Sequence, residues 1–213
     1  MSYPPNWRLA EGSGALTQAL VREHPFAQLV TGHSGLFSTR LPFAPDFAEG
    51  RLAQLRGHLN AQNPQARDLD GATALVVYIG RSTYVSPHWR REPTRGGTYD
   101  YEEVKVRGRI RMIADIDFFR TLINDLSALI EPQYAEVGDY PVWRTDMAPE
   151  GYVERLFPAV TPFVVEVESV ETVSKLHQQL PPEDRRCIAD HLARSHREDS
   201  RAIAAKILSS IEN

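Results

Sequence analysis

The sequence has a single cysteine and no long apolar run among its 213 residues. One cysteine, Cys187, excludes an internal disulfide bond and a metal site built from several cysteines, and it favours a reducing compartment. Because Cys187 lies in a helical pattern, we expect a small buried apolar side chain there rather than a reactive thiol. No stretch approaches the roughly 18 apolar residues of a membrane-spanning helix, and residues 1–7 lack a secretory pattern. We therefore expect a cytoplasmic protein that does not contact membranes.

The chain also has only a small net charge and lacks the common catalytic motifs. The formal net charge is -4, which argues against a surface built to attract nucleic acid, so any such contact would be local or indirect. The seven histidines do not form a spaced metal set, since His191 and His196 fall on different helical faces. No phosphate-binding glycine loop and no Gly-x-Ser-x-Gly elbow occur. These absences disfavour classical nucleotide-binding folds, zinc enzymes and serine hydrolases.

The composition is that of an ordinary globular protein with helical segments. Hydrophobic residues make up 42% and charged residues 24% of the chain, and a chain of this length buries enough surface for its own core. Helical spacing, with capping residues and prolines at the ends, predicts helices over Ser13–His24, Asp115–Pro132, Pro182–Ala193 and Glu198–Ile211. The last two helices have mixed charges, so we expect them to pack within the protein or a dimer rather than to read DNA.

Strand patterns occupy the stretches between these helices. Alternating or apolar runs predict strands over Ala27–Thr31, Leu36–Phe43, Arg51–Leu59, Ala72–Ile79, Glu102–Ile113 and Thr161–Glu168. We expect the first two strands to form a hairpin through residues 33–35, and the fourth to be buried on both faces and to stop at Gly80-Arg81. In the fifth strand, the alternation of apolar and charged residues is expected to shift phase at Gly108.

The order of these elements predicts an α+β fold built on a small barrel. Strands in sequential antiparallel order, without alternating helices, favour a closed or split β-barrel over a parallel sheet. Barrel closure also removes exposed strand edges. We therefore expect a barrel domain with flanking helices over residues 1–170 and a helical C-terminal extension over residues 171–213, packed on the barrel or on a dimer.

Four short motifs occur in order along the barrel region: FSTRLPF at 37–43, GHLNAQNPQ at 57–65, YVSPHW at 84–89 and GTYDYEEVKVRG at 97–108. Together with Lys175-Leu176-His177-Gln178 near the end of the chain, they resemble the PaiB-type family of FMN-binding, split-barrel negative transcriptional regulators. The resemblance runs in register over residues 25–113. It implies a split β-barrel that forms a homodimer and holds FMN in the cleft between the subunits.

The resemblance also implies which residues meet the flavin. A flavin needs an apolar slot for its ring, hydrogen-bond partners along the ring edge, and cations or hydroxyls for its phosphate. The first motif would meet the phosphate or ribityl chain and, through its backbone, the ring; the second would add polar contacts; aromatic residues of the partner subunit would cover the ring. In that order the candidates are Ser38, Thr39, Arg40, Leu41 and Pro42; His58, Asn60 and Asn63; and Trp89 or Tyr101.

The stretch from Ser82 to Tyr101 is unusually rich in aromatic residues and arginines. In our interpretation, Ser86-Pro87 ends one barrel strand, the arginine-rich connection crosses the subunit boundary, and Tyr99 to Tyr101 re-enters the sheet at the cleft. The alternative is a solvated loop whose Trp89 packs against its own barrel.

The chain departs from the family pattern at positions that bear on the cofactor. Ala61 stands where a basic residue is common, so Arg40 or Arg81 would have to bind the phosphate. Asp100 stands in place of Asn, and a like charge at about 4 Å from an anionic cofactor costs on the order of 4 kcal/mol at an effective dielectric of ~20. The function expected first is FMN binding in regulation. The alternatives are a flavin-dependent oxidoreductase like the pyridoxamine-phosphate oxidases, and a module that has lost flavin and binds another planar anion such as haem or a nucleotide.

Overall fold

The computed structural model describes residues 8–9, 14–32, 35–137 and 140–212. Within these ranges the chain forms eight β-strands and five α-helices. The strands are β1 (Arg8–Leu9), β2 (Phe26–Thr31), β3 (Phe37–Pro42), β4 (Ala44–Ala48), β5 (Arg51–Asn60), β6 (Thr73–Val85), β7 (Thr98–Met112) and β8 (Val160–Lys175). The helices are α1 (Gly14–Glu23), α2 (Ile116–Ile130), α3 (Tyr152–Leu156), α4 (Pro182–Ala193) and α5 (Glu198–Glu212).

The strands form one sheet with the order β3-β2-β6-β7-β8-β5-β4, and β1 pairs with β8. The pairs β2–β3, β2–β6, β4–β5 and β5–β8 are antiparallel. Strands β2 and β3 pair from Phe26 opposite Pro42 to Thr31 opposite Phe37, as the predicted hairpin requires, although two residues of its connection lie outside the described residues. Ser13, the predicted cap of α1, also lies outside them.

The chain folds into two compact units assembled from separate stretches. We call residues 12–78 and 105–170 the barrel unit, and residues 1–11, 79–104 and 171–213 the helical unit. Strands β6, β7 and β8 contribute residues to both units. The expected boundary at residue 170 stays a prediction about which segments fold independently.

Aromatic side chains form the centre of the barrel unit. The ring of Phe43 lies 6.3 Å from that of Tyr78 and 6.1 Å from that of Phe163, and all three side chains are fully buried. Helix α2 begins where the sequence predicts, because the Asp115 carboxylate accepts hydrogen bonds from the amides of Asp117 and Phe118 and satisfies otherwise unpaired donors. Its buried face includes Phe119.

Strand β6 differs from its prediction in length and in burial. It does not stop at Gly80-Arg81 but continues to Val85. Only one face of its first half is buried, because Ala74 and Tyr78 are 1% exposed while Ile79 is 59% exposed. An apolar run does not distinguish a strand covered on both faces from one that leaves apolar side chains on an outer face.

Gly108 does not shift the phase of β7, contrary to the expectation. Buried and less buried residues alternate without interruption from Asp100 to Ile110. The glycine is required for another reason: a Cβ at position 108 would lie 2.1 Å from the carbonyl oxygen of Glu166. Gly108 therefore permits the close approach of β8, which is the other common role of glycine within a strand.

The sequence analysis missed strand β4. It pairs with β5 from Ala44 opposite Arg56, with an irregularity between Asp46 and Phe47. A proline at position 45 and an acidic residue at position 46 hide the strand pattern, since both residue types are depleted in strands. Proline is tolerated because β4 stands at the end of the sheet, where one edge needs no hydrogen bonds.

Helices α4 and α5 lie in the helical unit, with the boundaries predicted to within one residue. They share a buried apolar cluster with Val85 and Leu176, to which they contribute Ile188, Ala189, Leu192, Ile203, Ala204 and Ile207. The two helices therefore pack on each other within the protein through this cluster. Cys187 is half-buried. Among the described residues, no helix combines the length and apolar character of a bilayer span.

Candidate functional site

Strand β3 carries the first motif and stands at the end of the sheet. In the described ranges it pairs with β2 along one edge and with no strand along the other. The free edge presents backbone N–H and C=O groups that a ligand can use. Along the strand Ser38 and Arg40 are exposed, whereas Thr39 is half-buried and Leu41 is buried. The motif thus offers polar side chains on one face and anchors the strand with the other.

The second motif is fastened to β3 by a short hydrogen-bond network. Residues 64–66 form a 3-10 turn capped by Asn63, whose side-chain oxygen accepts a hydrogen bond from the Gln65 amide at 2.9 Å. The Asn63 Nδ2 donates to Thr39 Oγ1 at 3.0 Å. Gln65 Nε2 donates to Thr31 Oγ1 at 3.0 Å. Thr39 and Asn63, which were predicted to share a site, are direct neighbours.

Arg40 is the cation of this site. Its Nη2 donates to the carbonyl oxygen of Phe26 at 3.1 Å, and its guanidinium lies 4.7 Å from the centre of the Phe26 ring, a cation–π contact. Within the described part of the chain, no carboxylate pairs with Arg40. Its positive charge is held in place but not neutralised, which suits an anionic ligand. Ser38 Oγ is fixed nearby in sequence by a hydrogen bond from Gln28 Nε2.

His58 has different neighbours from Arg40. Its ring packs edge-on against Phe119 of α2 at 5.4 Å. Its Nδ1 is buried without a hydrogen-bond partner among the described residues, and burial lowers the pKa of the imidazole. The adjacent Gly57 faces the other way, since a Cβ there would lie 3.1 Å from Leu41 Cδ1. The expectation that Arg40 and His58 line one crevice therefore stays a prediction, without a direct contact between them.

The remaining predicted residues of the barrel unit occupy strand ends. Leu41 is only 4% exposed, and Pro42 ends β3 opposite Phe26. Asn60 ends β5, and its Oδ1 accepts a hydrogen bond from the Gln62 amide at 2.8 Å. The Oδ1 of Asn60 therefore shapes the turn that leads to Asn63, and a contact of Asn60 with a ligand stays a prediction.

The predicted aromatic residues lie in the helical unit. The indole of Trp89 stacks on the ring of His191, with centres 5.8 Å apart and planes 11° apart, and it packs against the apolar cluster of α4 and α5. Tyr101 is half-buried on β7. Tyr84 and Tyr99 are instead 48% and 58% exposed, in edge-on contact at 5.7 Å. Trp89 thus packs on helices α4 and α5 of its own chain rather than on the barrel, and its role in covering a flavin of the partner subunit stays a prediction.

Arg81, a possible replacement for the missing phosphate ligand, and Asp100, a departure from the family pattern, both lie in the helical unit. Arg81 is not free to replace a lost phosphate ligand, because its Nη1 lies 2.9 Å from a Glu198 oxygen and 3.1 Å from an Asp199 oxygen. Asp100 is fully buried, and one of its oxygens lies 2.6 Å from His177 Nδ1. The carboxylate has a protein partner and is not an exposed charge awaiting a cofactor.

Comparison with known proteins assigns the chain to a protein family. Residues 2–169 match the sequence model of the family described as "Putative FMN-binding domain". The chain belongs to this family. Its relatives include an uncharacterized protein of Emericella nidulans, which is 28% identical in an alignment that covers 83% of this chain and 84% of the relative. An uncharacterized protein of Aspergillus fumigatus is 27% identical in an alignment that covers 83% of this chain and 85% of the relative.

Solved structures of similar fold include two whose descriptions name flavin and haem proteins. The FAD and haem binding protein from Mycobacterium smegmatis superimposes with a TM-score of 0.54 at 14% identity, over 77% of this chain and 72% of that chain. The flavocytochrome Anf3 from Azotobacter vinelandii gives 0.51 at 13% identity, over 82% and 72%. A conserved hypothetical protein from Mycobacterium tuberculosis gives 0.57 at 11% identity, over 85% and 94%. The fold is the predicted flavin-binding split β-barrel with flanking helices.

FMN is therefore a candidate cofactor of this chain, and the donors along β3 fit it. A phosphate group binds well to a cation that has no carboxylate partner, and Arg40 is such a cation among the described residues. The residues that offer hydroxyl or amide groups along the same motifs are Ser38, Thr39 and Asn63. A ring edge requires backbone donors and acceptors, and the free edge of β3 presents them. The sequence motif predicted these residues; it missed Phe26, Gln28 and Gln65, which hold them. The predicted hairpin of β2 with β3 was the signal that could have indicated the first two, since Phe26 pairs with Pro42 and Gln28 with Arg40.

Proposed function

We propose that this protein binds FMN along the free edge of β3. The observation that carries the proposal is the arrangement of Arg40, which has no carboxylate partner among the described residues, on an edge strand that Asn63 fastens through Thr39. Arg40 and Ser38 bind the phosphate, and the backbone at Leu41 and Pro42 meets the ring edge. When bound, the flavin supplies one- and two-electron redox chemistry, while the chain binds and orients it.

The test is a titration of the purified protein with FMN and, separately, with riboflavin, in which flavin fluorescence reports binding. We expect Arg40→Gln to weaken FMN binding about tenfold, or about 1.4 kcal/mol, and to leave riboflavin binding unchanged, because only FMN carries the phosphate. Arg51→Gln is the matched control, because Arg51 is also an exposed arginine of the barrel unit. This substitution removes the same charge as Arg40→Gln. Equal losses in both variants, or no FMN binding by the unaltered protein, would reject the proposal.

The fastening by Asn63 has its own test. Asn63→Ala removes the bond to Thr39 and the cap of the 3-10 turn, so we expect weaker binding of both FMN and riboflavin. Thr39→Val removes only the bond to β3 and keeps the cap. If Thr39→Val binds both flavins as the unaltered protein does, the bond between β3 and the turn is not part of the site.

We further propose that the protein acts as a homodimer in the cytoplasm and in regulation rather than in turnover. The sequence resemblance to PaiB-type regulators supports the role. The exposed pair of Tyr84 and Tyr99 supports an interface in the helical unit, because large exposed aromatic side chains are typical of interface anchors. Light scattering should report a dimer, and Tyr84→Ser with Tyr99→Ser should shift it toward monomer. A monomeric unaltered protein rejects the dimer.

Regulation and catalysis are separated by steady-state measurements. A regulator should bind FMN without sustained NAD(P)H oxidation, and its occupancy by FMN should change the expression of target genes. Multiple turnovers of NAD(P)H or of a substrate would favour the flavin-dependent oxidoreductase. Mass spectrometry of small molecules that copurify with the protein would reveal haem or a nucleotide if the site holds another planar anion.

A further inference from the structure

The helical unit contains a chain of three polar side chains that the flavin proposal does not use. Asp100 on β7 and His177, just after β8, are both fully buried. A carboxylate oxygen of Asp100 lies 2.6 Å from His177 Nδ1, and His177 Nε2 lies 3.1 Å from Arg90 Nη2. The imidazole therefore stands between a carboxylate and a guanidinium.

The protonation state of His177 follows from these two contacts. Arginine is always charged and has only donors, so Arg90 donates to His177 Nε2, and Nε2 must be the unprotonated acceptor. The ring proton then lies on Nδ1 and is donated to Asp100. The contact with Arg90 accordingly requires a neutral imidazole, because a proton on Nε2 would place two N–H groups against each other.

The backbone at His177 indicates that its position is held by its surroundings. His177 has a φ of 56°, in the left-handed region that non-glycine residues seldom adopt. Such a conformation persists where neighbouring contacts determine it, and the contacts here are those with Asp100 and Arg90. This backbone feature was not apparent from the sequence.

Other charged side chains surround Arg90, His177 and Asp100. They are Lys175 on β8 and Arg185 on α4, both buried, and the carboxylate of Asp184 on α4, which interacts with Arg90. Burial lowers the pKa of each of these two cations, and Asp100 opposes that effect. The carboxylate of Asp100 is therefore surrounded by cations even when His177 is neutral. A further proton on His177 would add positive charge to a cluster that already has more cations than Asp100 balances.

We propose that His177 is a proton-controlled latch for Arg90. The neutral imidazole holds Arg90 and with it the connection from Ser86 to Gly97. Protonation of Nε2 removes the acceptor, and the connection is released while Asp100 keeps its bond to Nδ1. The latch lies entirely within the helical unit and is independent of FMN binding.

A second fastening of the same connection distinguishes the latch from general loosening. The Arg91 backbone amide and Nε both lie within hydrogen-bond distance of an Asp184 oxygen, at 3.2 Å and 3.1 Å. This contact is on the surface and does not involve His177. Asp184→Asn is therefore a control that weakens the connection and leaves the hydrogen bond between Arg90 and His177 in place.

Hydrogen–deuterium exchange of residues 86–97 tests the latch in the full-length protein. The amides of Trp89 and Arg90 donate to the carbonyl oxygens of Ser86 and Pro87 and report its order. Labelling at about pH 5 and about pH 8, on either side of the usual range of imidazole titration, is scaled for intrinsic exchange rates. We expect several-fold faster exchange of these amides at the lower pH.

The variant that removes the proton but keeps the acceptor is Asp100→Asn with His177→Gln. Its Gln carbonyl can accept from Arg90 at any pH, so we expect equal exchange at both pH values. Asp184→Asn should exchange faster at both values and keep the pH dependence. Equal exchange of the unaltered protein at the two pH values would overturn the latch, as would an unchanged pH dependence in the double variant.

Long-range nitrogen–proton spectra of the His177 ring provide a measurement that does not depend on the variants. At about pH 8 we expect the neutral tautomer with its proton on Nδ1. A proton on Nε2 at that pH would contradict the assignment and remove the latch. Circular dichroism confirms that the double variant is folded before its exchange is interpreted.

Discussion

The helical unit buries charged side chains beside its apolar cluster, whereas no charged side chain of the barrel unit is buried among the described residues. In the barrel unit the fully buried residues include Phe43, Tyr78 and Phe163, and the ring of Phe43 contacts the other two. In the helical unit Asp100 and His177 are fully buried, and Lys175 and Arg185 are also buried. Apolar burial stabilises without regard to pH, whereas buried charges stabilise only while each has its partner. The two units should therefore respond differently to acid and to the loss of one side chain.

The largest expected effect is from His177→Ala in the helical unit. The substitution leaves the buried carboxylate of Asp100 without the N–H donor of the neutral imidazole and leaves a cavity, and we expect the two effects together to cost about 3–5 kcal/mol. Because protonation of Asp100 relieves an unpaired charge, the cost should fall as the pH is lowered. Urea unfolding of the variant and of the unaltered protein at two pH values measures both effects. A loss independent of pH would mean that the carboxylate is compensated by other groups.

Phe163→Ala makes a comparable change in the barrel unit by a different mechanism. It removes a fully buried ring from its contact with Phe43, and such truncations cost about 3–5 kcal/mol through lost burial and a cavity. No charge is involved, so the loss should be the same at both pH values. A pH-dependent loss for Phe163→Ala would contradict the proposed difference between the units.

Gly108→Ala tests how closely the barrel unit is packed. The added Cβ would lie 2.1 Å from the Glu166 carbonyl oxygen, and relief of the overlap requires β8 to move, so we expect a loss of about 1–3 kcal/mol. Gly96→Ala is the control, since nothing lies within 4 Å of its added Cβ. Equal unfolding midpoints for the two variants would show that β8 shifts at little cost.

The smallest expected effect concerns His58, a half-buried titratable group in the barrel unit. Burial lowers its pKa below the ordinary value of 6.5, so the unfolded chain takes up a proton at a higher pH than the folded protein does. The contribution of neutral His58 to stability is therefore present above pH 6.5 and lost as the pH falls toward the folded-state pKa.

His58→Leu should reduce this loss of stability in acid. Denaturant midpoints measured from neutral to mildly acidic pH provide the comparison, and His191→Gln serves as the control because His191 is exposed. Parallel pH profiles for the unaltered protein and His58→Leu would contradict the assignment. A reduced profile would show that the barrel unit has one pH-sensitive position within an otherwise apolar interior.

Elements with local signals were predictable from the sequence, whereas elements that depend on distant partners were not. Helix α2 begins at its Asp115 cap because the cap bonds only to residues a few positions away. Strand β4 was missed, and β6 was ended too early, because their pairing depends on neighbouring strands rather than on their own composition. Gly108 was assigned the wrong role, since its constraint comes from Glu166, which lies far away in the chain.

The candidate site divides in the same way. The motifs around Thr39 and Asn63 were recognised as parts of one site, and the structure brings these two residues into contact. The neighbours of Arg81 and Trp89 were not predictable, because both are supplied by α4 and α5 after more than ninety further residues. A motif therefore does not show whether its side chains, such as that of Arg81, form ion pairs with a helix from a distant part of the sequence.

The sequence by itself determined the class of fold, the positions of α1, α2, α4 and α5 and the segments that carry the family motifs, because periodicity, caps and motif order act over short stretches of chain. Only the tertiary structure decided which strand has a free edge, that Arg40 keeps an uncompensated charge within the described residues, and that Asp100 is buried against His177. These properties depend on the groups that folding brings together from distant positions, and electrostatic compensation in particular depends on distance in space rather than along the chain.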